Sequence, residues 1–229
     1  MALKESGSQG SHHSEEIVSR SEQFIEKYSK TIIWCVLGVI VLGVAIWLYI
    51  DKVVKPRGDK AAAQLYVAEE QFMAGADSAA LNAPAAGAMG LLEIADKYSS
   101  TDAGKLAHAY AGIIYYDEGK YEEAIRELKE FKAKEKMVAP SITRLIGDCY
   151  VELGQYDKAA KYFMDAAKAA DNPVISPSCL IKAGHVYEEL GQYDKALKAY
   201  KEIQDKYYTA PESESIESSI VRVEAQLKK

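Results

Sequence analysis

The chain has 229 residues, and its 28 basic and 34 acidic side chains give a net charge of −6. No cluster of lysine and arginine alternates with aromatic residues, so the composition argues against a nucleic-acid partner. Three scattered cysteines cannot form a disulfide framework, and the length allows one domain with an appendage.

The N-terminal tail, residues 1–30, is mostly polar. Residues 1–14 offer too few apolar side chains to bury and are predicted to be disordered, whereas residues 15–30 could extend the helix that follows. His12 and His13 are adjacent, but the sequence offers them no further metal ligands. We interpret this pair as part of a solvated tail and predict neither a metal site nor a cofactor.

Residues 31–50 carry no charge and are predicted to form a single transmembrane helix. Twenty residues make a helix of roughly 30 Å, which matches the hydrocarbon core of a bilayer. Twelve of the twenty are Ile, Leu or Val, and together they contribute about −4 to −7 kcal/mol to insertion. A cleaved signal peptide is the alternative, but a long tail precedes the segment, and residues 46–49 are too bulky for a cleavage site.

The charges beside this segment leave its orientation open. The flanking basic residues are Arg20, Lys27 and Lys30 before it and Lys52, Lys55, Arg57 and Lys60 after it. The positive-inside rule therefore gives no clear orientation, and it tilts slightly against export of the C-terminal part. The basic stretch, residues 51–60, also contains Pro56 and Gly58 and is predicted to be a linker.

Residues 61–98 have the outline of a degenerate repeat, with two amphipathic segments around a polar one. Helices are predicted at 61–73 and 85–98, with a loop at 75–84 between them. Terminal repeats are commonly atypical because one face lacks a neighbour. At the other end of the chain, apolar residues at helical spacing predict a capping helix at 214–229.

Between these ends, one phrase of the form Gly-x-Tyr-x-x-Ala occurs three times. It starts at Gly119, Gly154 and Gly191, so the copies are 35 and 37 residues apart. A period in this range is typical of stacked helical hairpins, and we predict an all-α solenoid. The predicted repeats are residues 105–139, 140–176 and 177–211.

Two glycines in each repeat have predicted roles. The glycine that starts the phrase suits the left-handed conformation that ends a helix and begins a turn. The glycine seven residues earlier is expected to let the two helices of a repeat approach closely, opposite the alanine of the phrase. These earlier glycines are Gly112, Gly147 and Gly184, and the alanines are Ala124, Ala159 and Ala196.

With these glycine, tyrosine and alanine positions, the units resemble tetratricopeptide (TPR) repeats, strongly over residues 105–211 and weakly over residues 59–98. The resemblance implies a scaffold that binds other proteins, in which the first helix of each repeat lines a concave peptide groove. The implied groove residues are Leu106, Ala109, Ile113, Tyr116, Asp117, Ser141, Arg144, Asp148, Val151, Glu152, Ser178, Ile181, His185, Glu188 and Glu189.

The sequence offers little for catalysis, and we predict that the protein is not an enzyme. His108 and His185 are far apart, and no metalloprotease, phosphate-loop or nucleophile-elbow motif is present. Cys149 and Cys179 invite a redox interpretation, but small buried apolar side chains are the commoner role for such cysteines. We therefore interpret both thiols as structural.

The implied groove is apolar at one end and acidic at the other. Asp148 stands where TPR domains that clamp a terminal carboxylate have Asn, and none of the groove positions is Lys. Such a groove suits apolar or weakly basic segments, for example an unfolded chain or the helix of a partner. The alternative is a solvated groove, with binding through the loops or the capping helix.

The order of tail, span and acidic repeats is similar to that of the YfgM-like ancillary subunits of the bacterial Sec translocon, and phrases such as residues 147–150 resemble TPR proteins of Bacteroidetes. The resemblance implies an inner-membrane protein with a cytoplasmic N-terminus and periplasmic repeats, which assists exported chains or recruits a periplasmic chaperone or membrane-anchored foldase. Two alternatives remain: an adaptor of another cell-envelope complex, or an organelle-membrane receptor with its repeats in the cytosol.

Overall fold

The computed structural model describes residues 9–83, 87–133 and 136–228, with the backbone alone for residues 9–27 and 32. Helix makes up 81% of the chain, and no strand occurs within these ranges, so the predicted all-α class is confirmed. The helices are α1 (Gln9–Tyr49), α2 (Lys55–Met73), α3 (Asp77–Asn82), α4 (Leu91–Lys97), α5 (Asp102–Asp117), α6 (Tyr121–Glu130), α7 (Val138–Glu152), α8 (Tyr156–Ala170), α9 (Ser176–Glu189), α10 (Tyr193–Lys206), α11 (Glu212–Ser215) and α12 (Glu217–Leu227).

The chain divides into two compact units, residues 1–56 and residues 57–229. The first unit is built on α1, which begins at Gln9, so residues 9–14 are helical where disorder was predicted. Residues 1–8 and the side chains of His12 and His13 lie outside the described part. Within that part, one continuous helix, Tyr28–Met73, is long and apolar enough to cross a membrane.

The segment predicted as a linker, residues 51–60, is helical instead. A π-helical turn at Ile50–Val54 joins α1 to α2, and the Lys55 N–H donates to the carbonyl of Ile50, five residues earlier. Pro56 has no N–H, and its ring crowds the carbonyl four residues before it. The wider π turn relieves that crowding without breaking the helix, which is why the proline does not create a linker.

The region before the repeats differs from its predicted pattern. The predicted loop at 75–84 contains α3, and the predicted helix at 85–98 is regular only from Leu91. Gly87 adopts a positive φ of 87°, which a helix cannot include. Leu65 of α2 and the fully buried Ile94 of α4 belong to the same apolar cluster. Residues 84–86 of the predicted helix lie outside the described part.

Helices α5 to α10 form three hairpins, and each hairpin turns at the glycine that starts the repeated phrase. Gly119, Gly154 and Gly191 have φ values of 73°, 67° and 67°, which confirms the predicted left-handed conformation. The turn after α7 closes with a hydrogen bond from the Gln155 N–H to the Tyr150 carbonyl at 2.8 Å. This geometry satisfies carbonyls that the end of a helix would otherwise leave unpaired.

The helices of each hairpin approach closely at the earlier glycine, but the residue opposite is not the predicted alanine. A Cβ at Gly147 would lie 2.6 Å from the Phe163 ring, and one at Gly184 would overlap the Tyr200 ring. Gly112 faces Leu128 in the same way. The facing residue is one helical turn beyond the alanine, so large side chains fill the space that the glycine leaves.

The last helix closes the solenoid by packing on α10. Ile220 and Val223 of α12 are buried in the same cluster as Tyr200 and Ile203 of α10. The short helix α11 precedes α12 and falls partly before the predicted start of the cap at residue 214. Helix α12 thereby covers an apolar face that a further repeat would otherwise bury.

Candidate partner-binding face

The first helices α5, α7 and α9 jointly line a hollow of about 240 Å³. We call the surface formed by these three helices the first-helix face. The residues that line the hollow are Tyr116, Asp148, Val151, Glu152, Phe163, Lys182, His185 and Val186. Five of them, Tyr116, Asp148, Val151, Glu152 and His185, are among the groove residues implied by the sequence.

The floor of the hollow is apolar and aromatic. Phe163 from α8 is almost fully buried, and Val186 from α9 is 5% exposed. Tyr116 from α5 and Val151 from α7 are half-buried beside them. Burial, reinforced by the charges of Asp148 and Glu152, raises the pKa of Tyr116, so its hydroxyl stays protonated. The hollow therefore offers an apolar surface with a neutral hydroxyl at its edge.

An ion-pair network crosses the face between α7 and α9. Lys182 Nζ donates to Asp148 Oδ1 at 2.9 Å, and Arg144 Nη1 donates to Asp148 Oδ2 at 3.3 Å. Asp148 thus holds two cations, one from its own helix and one from the next repeat. The sequence implied a groove position for Ile181 and not for Lys182. Lys182 lies one helical turn before His185, and this spacing could have shown that the two residues share a face.

Glu188 is also paired within the chain, although it was expected to contribute to an open acidic end. Arg222 of α12 donates two hydrogen bonds to its carboxylate, at 2.8 and 2.9 Å, and the Tyr200 hydroxyl donates a third at 2.6 Å. The bond from Arg222 is the main cause that lowers the pKa of Glu188, and the Tyr200 hydroxyl adds to it. Glu188 therefore ties the capping helix to the last repeat.

Three carboxylates differ from these paired ones. Asp117, Glu152 and Glu189 are exposed and occupy equivalent positions at the ends of α5, α7 and α9. We call these three residues the acidic row. Among the residues that the structure describes, Asp117 and Glu189 form no ion pair, and Glu152 accepts only a 3.4 Å hydrogen bond from the Tyr121 hydroxyl. The acidic row therefore carries three negative charges that no cation of the described residues compensates.

The remaining implied groove residues have other surroundings. Ala109 is only 4% exposed and lies in the core, which corrects its assignment to the groove. Ser141 and Ser178 donate their hydroxyls to backbone carbonyls of Met137 and Ile175 near the starts of their own helices. Leu106, Ile113 and Ile181 are at least partly exposed but do not line this hollow.

A second hollow of about 560 Å³ lies at the start of α5, beside the loop before α7. Leu106, Phe131 and Val138 give it apolar walls, and Lys105 and Lys132 stand at its edge. Both lysines pair with nearby carboxylates, Asp102 and Glu130, at 2.9 Å. Residues 134–135 of this loop lie outside the described part. Leu106 lines this second hollow, whereas five other implied groove residues line the first.

Buried thiols account for two of the three cysteines. Cys149 and Cys179 are fully buried and free, and burial raises the pKa of Cys149 to about 12. Burial raises the pKa of Cys179 as well. Within the described residues, no group of three or more His, Cys, Asp or Glu side chains is placed to hold a metal ion.

Comparison with known proteins agrees with this architecture. Two tetratricopeptide repeat profiles match the chain, over residues 107–173 and 177–205. The solved structure of MamA protein is 17% identical, with a TM-score of 0.51, and the match covers 74% of this chain and 90% of MamA. The solved structure of a Podosopora anserina putative kinesin light chain with nearly identical TPR-like repeats is 13% identical, with a TM-score of 0.53. The match covers 75% of this chain and 88% of that one. No curated protein matches the chain.

These similarities coincide with the hairpins described above. The profile matches run from α5 to α10, and at such low identities the two structures establish a shared fold alone. TPR repeats serve as scaffolds for protein–protein interaction. The chain is therefore similar to tetratricopeptide repeats over residues 107–173 and 177–205.

Proposed function

We propose that the protein is a membrane-tethered scaffold that binds a partner protein on its first-helix face. The observation that carries this proposal is the hollow that three successive repeats line together, because a single repeat would not form it. An apolar floor with polar groups around it is the usual composition of a binding site. Membrane tethering and the identity of the partner are part of the proposal.

The exposed apolar side chains of α1 support the tether. Large apolar residues from Ile33 to Tyr49 are exposed along the helix, and Trp34 and Trp47 are 74% and 61% exposed. A soluble chain rarely exposes so large an apolar surface, whereas a bilayer would cover it. The indoles near the two ends suit the membrane–water interfaces.

We further propose that the protein is an accessory of the Sec translocon in a bacterial inner membrane. In this arrangement the N-terminus is cytoplasmic and the repeats are periplasmic, where they assist exported chains or recruit a periplasmic chaperone or foldase. An adaptor of another cell-envelope complex is the second candidate. The basic residues on the two sides of the span are nearly balanced, so they leave the orientation open and allow a third candidate, a receptor with its repeats in the cytosol.

Topology separates the third candidate from the other two. The variants Ser6→Cys and Thr209→Cys, the latter at an exposed position, are probed in intact cells with an impermeant thiol reagent. We expect the thiol introduced by Thr209→Cys to react before the inner membrane is broken, and the thiol introduced by Ser6→Cys only afterwards. The buried Cys149 and Cys179 should stay unreactive in the folded protein, and the reverse labelling order would exclude periplasmic repeats.

Site-specific photocrosslinking in native membranes, followed by mass spectrometry, would identify the partner. A photoreactive residue at exposed His185 should capture the Sec channel or a periplasmic foldase, whereas the same residue at exposed Lys161 on α8 should not. Capture of another envelope complex without any Sec component would favour the adaptor. Equal capture from both positions, or none from His185, would exclude the first-helix face as the binding site.

A further inference from the structure

Building on the proposed function, we propose that the first-helix face takes a partner segment in which an apolar side chain is flanked by lysine or arginine. The apolar side chain enters the hollow, and the cations pair with the acidic row beside it. The occupant is thus a basic, apolar stretch of polypeptide, either extended or helical.

The size and lining of the hollow specify the apolar part. Its volume of about 240 Å³ is smaller than the roughly 300–1,000 Å³ that is typical of small-molecule sites. A space of this size accommodates a side chain of a longer segment. Val151 and Val186 form apolar walls, and the Phe163 ring lies beneath them. An apolar side chain loses its contact with water there without displacing an internal hydrogen bond.

The charges specify the rest of the segment. Asp148 is paired with both Arg144 and Lys182, so this group of three side chains carries one net positive charge, which the three carboxylates of the acidic row outweigh. Glu152 lines the hollow, and Glu189 lies one helical turn after His185, which also lines it; among the described residues, neither exposed carboxylate pairs with a cation. A cationic segment therefore gains new pairs at this edge, whereas an anionic one meets uncompensated like charge.

The chain already contains one example of this recognition. Glu188 lies one residue before Glu189 of the acidic row, and it receives Arg222 of α12 in a two-bond guanidinium–carboxylate pair. Arg222 comes from α12, which packs on the last repeat, so this pair shows that a carboxylate at this end of α9 holds an arginine from a neighbouring helix. Such paired geometry is the preferred contact between arginine and a carboxylate. A partner helix meets Glu152, on the preceding repeat, with the same chemistry.

Peptide binding to the full-length protein tests the proposal. The protein is placed in nanodiscs of zwitterionic phosphatidylcholine, with empty nanodiscs as the blank. Three fluorescent peptides share the same leucine and alanine positions and differ only in carrying lysine, glutamine or glutamate at the flanking positions. We expect the lysine peptide to bind about tenfold more tightly than the glutamine peptide, and the glutamate peptide to bind most weakly. High salt should narrow these differences.

Matched variants connect the preference to the acidic row. The Glu152→Gln/Glu189→Gln double variant should bind the lysine peptide about three- to twentyfold more weakly, since it loses two exposed pairs. The control Asp165→Asn/Asp205→Asn removes the same charge from exposed positions on α8 and α10 and should bind normally. Replacing leucine with alanine in the lysine peptide should also weaken binding.

Several results would overturn the proposal. Equal binding of the lysine and glutamine peptides, unchanged by the double variant, would reject the basic flank but leave the proposed binding face intact. If the control variant bound the lysine peptide as weakly as the double variant, the loss of affinity would reflect overall charge and not the acidic row. If replacing leucine with alanine left the affinity unchanged, the apolar side chain would not enter the hollow. Failure of every peptide to bind, together with no crosslinked protein at His185, would reject the proposed function itself.

Discussion

The interior of each repeat and the first-helix face are built from different chemistry. Inside the repeats, Gly147 and Gly184 meet the rings of Phe163 and Tyr200 so closely that no Cβ fits without movement. On the face, half-buried side chains and exposed carboxylates surround an open hollow. The interior tolerates almost no change of volume, while the face can change its charge without disturbing the packing.

The ion pairs between neighbouring repeats are expected to be less tolerant of substitution than the first-helix face and more tolerant than the repeat interior. Asp148 and Lys182 link α7 to α9, and Glu188 and Arg222 link α9 to α12, and the residue numbers of the partners differ by 34 in both pairs. Helix α12 thus takes the position of the first helix of a fourth repeat. These pairs fix how successive repeats align, and their partial exposure limits what each contributes to stability.

The largest expected effect comes from the repeat interior. Gly184→Ala should lower the free energy of unfolding by about 2 to 3 kcal/mol, because the new methyl group overlaps the Tyr200 ring and Tyr200 is fully buried. Chemical denaturation of the full chain in detergent, followed by far-ultraviolet circular dichroism, measures the change.

Gly58→Ala is the matched control for this substitution. A Cβ at Gly58 on α2 meets no atom within 4 Å, so the variant should be as stable as the wild type or slightly more stable. If both alanine variants lost the same stability, close packing at Gly184 would not be the cause.

The next effect comes from the pair that ties α12 to the last repeat. Arg222→Met should cost about 1 kcal/mol, since it leaves the largely buried Glu188 carboxylate with Tyr200 as its remaining partner, and water screens the half-exposed Arg222. Arg222 lowers the pKa of Glu188 below its usual value of 4.5, so the stability it provides is complete above that pH. It is lost as the pH falls through the lower pKa of the folded state.

Thermal melts of wild type and Arg222→Met across pH measure this dependence. The two melting midpoints should differ by a constant amount from pH 7 to pH 5 and converge below pH 4.5. Lys201→Met is the control, because its pair with Glu224 is exposed on both sides and its loss should leave the midpoint unchanged. A difference that stayed constant as the pH fell from 4.5 until both proteins unfold would contradict the Glu188 charge as its origin.

The repeated phrase made the hairpins and their turns predictable, because the conformation of Gly154 depends on residues close to it in sequence. The residue opposite Gly147 was not predictable from the same phrase. Ala159 and Phe163 lie one turn apart on the same face of α8, and the axial offset between two helices decides which of them meets the glycine. That offset is a property of tertiary packing, which the repeat period does not contain.

The candidate site was predictable in position but not in charge. The repeat register located Asp148, Val151 and His185 beside one hollow, because equivalent positions on stacked helices face the same side. It could not reveal that Lys182 pairs with Asp148 or that Arg222 pairs with Glu188, since these partners come from the next repeat and from α12. Only the ion pairs seen in the structure distinguish the unpaired carboxylates of the acidic row from the paired ones.

An effect similar in size to that of Arg222→Met is expected at the turns, where the backbone conformation and not a side-chain contact determines the cost. Gly154→Ala should cost about 1 kcal/mol, because φ is 67° and a Cβ there would meet no neighbouring atom. Gly154→Asn should cost less, since asparagine adopts the left-handed conformation more readily. Equal destabilisation by the two variants, measured by chemical denaturation, would contradict a purely conformational cause.

The smallest change in stability should come from the acidic row, which gives the sharpest contrast with the interior. Glu152→Gln/Glu189→Gln should alter the free energy of unfolding by less than about 0.5 kcal/mol, because both side chains are exposed and Glu152 loses one long hydrogen bond at most. The same variant is expected to lose affinity for a basic, apolar peptide. A large loss of stability would mean that the row is part of the framework of the solenoid, and its charge would then be explained without any partner. Unchanged stability with weakened binding would separate the two regions, since charge on the face would then serve recognition while the glycine–aromatic contacts hold the fold.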